Sequence, residues 1–185
     1  MKVVAIAGNT RPNSSALKLA QTVLESSASK GAETQLFELR NLNYNDCIAC
    51  MGCRTKSDRC VVQDDLQQVL EAIRNADAVV FSSPVYFGEV SGVFKCCFDR
   101  FFSFFNTGFK NRLKPGKKAI FITVQGASDE KSYDDIIPRY EQWLKFAKFE
   151  TLSMRAIGVG DVEDLDKKPE YIEEARKLGK AIFEN

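Results

Sequence analysis

Four cysteines, Cys47, Cys50, Cys53 and Cys60, fall within fourteen residues of a 185-residue chain. Their spacing lets one compact loop present three thiolates to three irons of a cube, with a fourth thiolate from farther along. Zinc sites more often use two separated Cys-x2-Cys hairpins, and thiolates without imidazole suit an iron–sulfur cluster such as [4Fe-4S]. The residues alone leave two other readings open: free thiols or a redox pair at Cys50 and Cys53, and a zinc site. The chain contains no histidine. That removes Ser-His-Asp hydrolysis, histidine general-base catalysis and every histidine-containing zinc site. Cys96 and Cys97 stand inside a phenylalanine-rich segment and read as small apolar packing residues.

Three further segments could hold a ligand. Residues 8–16, Gly-Asn-Thr-Arg-Pro-Asn-Ser-Ser-Ala, are rich in hydroxyl and amide groups and run into a helix start. Free backbone N–H groups and the positive helix end there attract a phosphate. The segment is neither a Walker A loop nor GxGxxG, and it also reads as a polar loop with a cap at Ser14 or Ser15. Residues 82–92 place Tyr86 and Phe87 between Pro84 and Gly88, which offers flat surfaces and close backbone approach to a planar ring. They also read as an ordinary turn with a buried tyrosine. Residues 123–128, with Gln125 and Gly126, are small enough for the backbone to approach a ligand edge.

The elements that must position these loops alternate. Apolar runs at 3–7, 34–39, 78–83, 117–125 and 151–159 predict strands, the third closed by Pro84. Helical spacing predicts helices over 15–30, 64–75, 90–105, 135–149 and 169–183. Five strand–helix alternations predict an α/β domain with a five-stranded parallel sheet, order 2-1-3-4-5, and helices on both faces. Residues 1–185 are expected to form one such domain, interrupted by the cysteine-rich loop at 46–60. In this architecture ligands bind beyond the carboxyl ends of the strands, where the three loops lie.

Composition narrows the partners. With 44% hydrophobic residues the chain can build a substantial core, and a net charge of +1 gives no long-range pull toward nucleic acid. No apolar run approaches the ~20 residues that span a membrane, and the N-terminus reads as a strand, so a cytoplasmic protein is expected. Eight of the fourteen phenylalanines fall between 87 and 109. A helix apolar on more than one face calls for a partner, so a homodimer or homotetramer is expected, unless residues 106–116 fold back over it.

The stretch Ala76-Asp77-Ala78-Val79-Val80-Phe81-Ser82-Ser83-Pro84-Val85-Tyr86-Phe87, then Ser91-Gly92, Lys95 and Asp99-Arg100, together with the three loops, resembles the flavodoxin-like NAD(P)H-dependent FMN reductase superfamily. The resemblance covers most of the chain, from Val3 to about Ser128. It implies that the first loop holds the FMN phosphate, with Asn9, Thr10, Arg11, Asn13, Ser14 and Ser15 as candidates. It places Pro84, Val85, Tyr86, Phe87, Gln125 and Gly126 beside the flavin ring. The usual serine at the start of the phosphate loop is replaced by Gly8-Asn9. The cysteine spacing, followed by Asp64-Asp65, resembles the iron–sulfur flavoprotein branch, which implies Cys47, Cys50, Cys53 and Cys60 as cluster ligands beside a flavin. The leading expectation is an FMN-dependent oxidoreductase taking electrons from NAD(P)H or a reduced carrier. Three alternatives accompany it: an electron carrier fed by a ferredoxin-like partner without NAD(P)H activity, an FMN reductase whose cysteines hold no cluster, and a thiol–metal module whose flavin loops are empty. No catalytic acid or base is assigned, because the cofactors carry the chemistry.

Overall fold

The computed structural model describes residues 1–184. Strands β1 (Lys2–Ala7), β2 (Glu33–Glu38), β3 (Ala78–Tyr86), β5 (Lys118–Gln125) and β6 (Glu150–Ile157) form a parallel sheet in the order β2-β1-β3-β5-β6, and β4 (Glu89–Val90) folds back antiparallel on β3. Without that two-residue strand, the order is the expected flavodoxin-like 2-1-3-4-5. The β1 residues Val3 to Ala7 are fully buried, as befits a strand covered on both faces. The register pairs Ala7 with Ser82, Pro84 with Val124 and Gln125 with Ile157. All strands therefore finish along one edge.

Alternation along each strand sends side chains to two cores. Val4, Ile6, Val79, Phe81 and Phe121 face α3 (Leu66–Asn75), α4 (Gly92–Asp99) and α5 (Ile136–Phe146). Val3, Ala5, Val80, Ile120 and Ile122 face α1 (Ser15–Ala28) and α7 (Pro169–Ala181). Two short helices escape the sequence pattern: α2 (Gly52–Thr55) inside the cysteine loop, and α6 (Val162–Asp166). The latter starts where the Asp161 carboxylate accepts the Asp164 N–H at 2.9 Å.

Several boundaries differ from expectation. Pro84 does not close the third strand, which runs on to Tyr86. β1 has already ended opposite Ser82, so one side of β3 is open and a missing N–H is tolerated. The helix expected over 90–105 is shorter. Val90 belongs to β4, Ser91 caps α4 by accepting the Phe94 N–H, and the chain tightens into a 3-10 turn at Arg100–Phe104. In that turn i and i+3 eclipse, which turns Phe101 and Phe104 inward together.

The phenylalanines largely serve their own chain. Phe94, Phe101, Phe104 and Phe105 are buried. Phe94 packs against Phe81 and Phe121 with ring centroids 6.1 and 5.8 Å apart. Residues 106–116 do fold back: Asn111 bridges to Phe105, and Leu113 is buried. What remains open is a groove of about 530 Å³ between α4, the 3-10 turn and α5, walled by Phe98, Phe102, Phe109, Tyr140, Trp143 and Phe146. Cys97 packs in the core as expected, whereas Cys96 is half-buried.

Candidate functional site

The strand ends bring together loops far apart in sequence. Gly8 follows β1, and its N–H donates to the Ser82 carbonyl at 2.8 Å. A Cβ at Gly8 would stand 2.6 Å from Phe94 Cβ, so only glycine lets the first loop lie on α4. Ser91 locks the same junction. Its hydroxyl donates to the Gly8 carbonyl at 2.5 Å, and its N–H donates to Ser83 Oγ at 2.9 Å.

The N-terminus of α1 is suited to an anion. Ser14 occupies the cap position, but its side chain makes no capping bond, and the first turn carries no acidic residue. The helix dipole and first N–H groups are therefore uncompensated. Thr10, Arg11 and Asn13 are exposed on the loop above it. Asn9 differs from them. It is fully buried, its Nδ2 donates to the Arg11 carbonyl at 2.8 Å and to Glu38 Oε2 at 3.3 Å, and its Oδ1 has no partner. Asn9 thus braces the loop from beneath.

The ring-side candidates form a hairpin tip. Val85 and Tyr86 pair with Val90 and Glu89, and the connecting Phe87 and Gly88 have φ of 50° and 84°. This is the backbone of a primed two-residue turn, and it leaves the Phe87 ring wholly exposed. Tyr86 and Thr10 hydroxyls lie 3.0 Å apart, joining this hairpin to the first loop. Pro84, Val85, Tyr86 and Gly126 line one small cleft with Arg11, Ser14 and Ser15. The side chain of Gln125 is turned away into its own loop: Nε2 donates to the Ala127 carbonyl at 3.1 Å, and Oε1 accepts from Arg155 at 3.1 Å.

One participant was not anticipated. Val159 and Gly160, after β6, line the same cleft. Ser15 Oγ donates to the Asp161 carbonyl at 2.6 Å, and Arg11 donates to the Gly160 carbonyl at 3.0 Å. The signal was the Gly158-Val159-Gly160 spacing. It was absorbed into a strand expected to run to Val159, but β6 stops at Ile157.

The cysteine loop gathers Cys47, Cys50, Cys53 and Cys60 around one narrow cavity, together with Arg100 and Phe102. Among the described residues, no three histidine, cysteine, aspartate or glutamate side chains are placed to hold a single metal ion. Burial pushes the Cys53 thiol up, and the neighbouring Cys60, Cys47 and Cys50 push it further. Ala49 and Met51 take left-handed backbone, with φ of 51° and 57°, a conformation that recurs in the N–H concavities of anion and iron–sulfur sites. A Cβ on Gly52 would stand 2.4 Å from Val61 Cγ2, so a glycine is needed for the two limbs of the loop to close.

Arginines surround this loop. Arg100 is 1% exposed, and its Nε–H donates to Cys60 Sγ at 3.1 Å. Its Nη1 reaches Asp64 Oδ2 at 2.8 Å and the Asn45 carbonyl at 3.0 Å, and its Nη2 reaches Asp64 Oδ1 at 3.2 Å. Arg112 donates to the Cys53 carbonyl at 2.7 Å. Arg54 lies over Phe102 and Phe109, 4.8 and 4.1 Å from the ring centroids, and its buried Nε has no partner. In a chain of net charge +1, so basic a shell suits anionic sulfur. Arg100 lies in the stretch that carries the family resemblance, but its spacing gives no hint of these contacts.

The family described as NADPH-dependent FMN reductase matches residues 1–133. An iron-sulfur flavoprotein of Methanocaldococcus jannaschii is 30% identical over 192 residues, covering 100% of this chain and 96% of its own. Another, from Methanosarcina thermophila, is 34% identical over 100 residues, covering 54% of this chain and 52% of its own. An NAD(P)H:quinone oxidoreductase from Methanothermobacter marburgensis superposes with a TM-score of 0.77 at 16% identity, covering 100% of this chain and 98% of that one.

The Asp64–Arg100 pair predicts a pH-dependent stability. Burial works to raise the Asp64 carboxyl, but the Arg100 hydrogen bonds and charge hold it below its usual value. Its contribution is therefore complete above about pH 4, the ordinary carboxylate range, and is lost as pH falls through the lowered value. Asp64→Asn is expected to cost about 3–5 kcal/mol at pH 7 by leaving a buried cation unpaired. In urea denaturation the gap to wild type should narrow under acid; a constant gap contradicts the pairing.

Proposed function

The chain belongs to the NADPH-dependent FMN reductase family, and on that premise we propose an oxidoreductase that holds FMN at its strand ends and an iron–sulfur cluster in its cysteine loop. The observation that carries this reading is the meeting of both candidate ligand sets on one helix. Ser91, at the start of α4, locks the first loop to the ring-side hairpin. Arg100, directly after its end, bonds Cys60.

The flavin supplies two-electron and one-electron transfer, the cluster one-electron transfer. The residues supply position. The α1 N-terminus, with Thr10, Arg11, Asn13, Ser14 and Ser15 around it, receives the phosphate, and buried Asn9 keeps that loop in shape. Pro84, Val85, Tyr86 and Phe87 flank the ring from the hairpin side. Gly126 offers backbone from the other side, and so does Gln125, whose side chain is committed elsewhere. Cys47, Cys50, Cys53 and Cys60 are the cluster ligands. Their cavity is narrow, and the limb carrying Cys50 and Ile48 is exposed at its outer side. The family description supports a reduced nicotinamide as donor; the acceptor is unassigned.

The aromatic groove supports a homodimer or homotetramer. Trp143 and Phe146 are 56% and 44% exposed on its rim and pack edge to face, so they offer a partner one contiguous aromatic contact. No described helix is long and apolar enough to cross a membrane, and six free cysteines support a reducing compartment such as the cytoplasm.

Anaerobically purified protein is expected to show flavin bands over a broad bleachable shoulder, with near-stoichiometric iron and sulfide. Flavin without iron would demote the four cysteines to thiols. Arg11→Ala should weaken FMN binding about tenfold, or about 1.4 kcal/mol, and leave riboflavin binding unchanged, since only FMN carries the phosphate. Equal losses for both would refute the phosphate assignment. Light scattering should give a dimer or tetramer, and Trp143→Glu should release monomers; a monomeric wild type contradicts the interface.

A further inference from the structure

We infer that Arg100 sets the reduction potential of the cysteine centre through its Nε–H bond to Cys60, an inference that rests on the cluster reading above. Arg100 is the bulkiest side chain sealed from solvent, and its N–H groups are all directed. The two outer nitrogens bond only oxygens, those of Asn45, Val62 and Asp64. Those oxygens lie on both limbs of the loop. The Nε–H is aimed instead at a sulfur 3.1 Å away.

A thiol is a weak acceptor. A thiolate, or a thiolate ligating iron, is a good one, and a cationic donor roughly doubles the strength of such a bond. Among the described residues, no side chain donates to the sulfur of Cys47, Cys50 or Cys53, so Cys60 is electronically distinct within the set. Reducing the centre by one electron adds negative charge that is partly carried on the sulfurs. An N–H donor and a buried positive charge at Cys60 stabilise that added charge and raise the potential. Asp64 keeps the guanidinium in its plane and so fixes the aim of Nε. Arg100 is thus a positioning and tuning residue.

The test is an anaerobic redox titration of the holoprotein, with the cluster followed by EPR and the flavin by absorbance. Arg100→Lys keeps the charge opposite Asp64 but cannot place an N–H on Cys60 with the same geometry. Its cluster potential should fall by at least tenfold in the equilibrium, which is about 59 mV for a one-electron couple. Its flavin potential should stay where it is. A loaded Arg100→Lys protein with an unchanged cluster potential, or with both potentials moved together, overturns the inference. If the variant does not fold, wild-type protein grown on 15N-arginine decides. A 15N hyperfine coupling to the reduced cluster supports the bond, and no coupling overturns it. A wild type that takes up neither iron nor sulfide after reconstitution refutes the cluster reading itself, a result distinct from either.

Discussion

A fully buried guanidinium is costly unless its donors are answered, and Arg100 draws its partners from both limbs of the cysteine loop. It stands at the turn where α4 tightens into a 3-10 helix, and it draws in carbonyls or sulfur from Asn45, Cys60 and Val62 and the carboxylate of Asp64. Those four positions bracket the cysteine loop. The loop has little regular structure of its own, only the four residues of α2, so its shape is inherited from the charge it must satisfy. Remove the cation and Asp64 is left buried; remove Asp64 and the cation is left buried. Either way the desolvation cost falls on the segment that carries the cysteines.

The same helix begins at the other candidate site. Ser91 caps α4 and at the same time ties the first loop to the end of β3. Arg100 follows nine residues later, roughly 13 Å along a helical axis. A single rigid element therefore fixes the separation between the strand-end loops and the cysteine loop. Phe94 on that helix closes against Gly8 on one side and Phe121 beneath. The packing that builds the core also sets the relation between the sites.

The phenylalanine-rich segment divides into two jobs. Phe94, Phe101, Phe104 and Phe105 fill the core on the α3, α4 and α5 face. Phe98, Phe102 and Phe109 wall the open groove with Tyr140 and Trp143. Phe102 also borders the cysteine cavity, so one ring separates the groove from the thiols. Spacing alone made all of these one apolar stripe. Only the change from α-helical to 3-10 winding at Arg100 decides which rings turn inward.

Much of this molecule was legible in its sequence. Strand–helix alternation determined a parallel sheet, because a parallel pair needs a crossover and right-handed crossovers leave few orders. Short apolar runs ending in Gly8, in the Pro84 segment and in Gln125-Gly126 marked the edge where those loops meet, because loops beyond parallel strand ends must share one side. The cysteine spacing marked a loop whose four thiols line one cavity, because residues of one loop need only local chain to converge. The role of Arg100, the Gly158–Asp161 loop, the bracing by Asn9 and the inward turn of Gln125 were decided only by the tertiary structure. Each depends on hydrogen bonds between residues distant in the chain, such as Arg100 with Cys60 and Ser15 with Asp161. Periodicity records which face of an element is apolar. It carries no record of which distant carbonyl or sulfur a buried donor will find, because that is fixed only when the chain has closed around it.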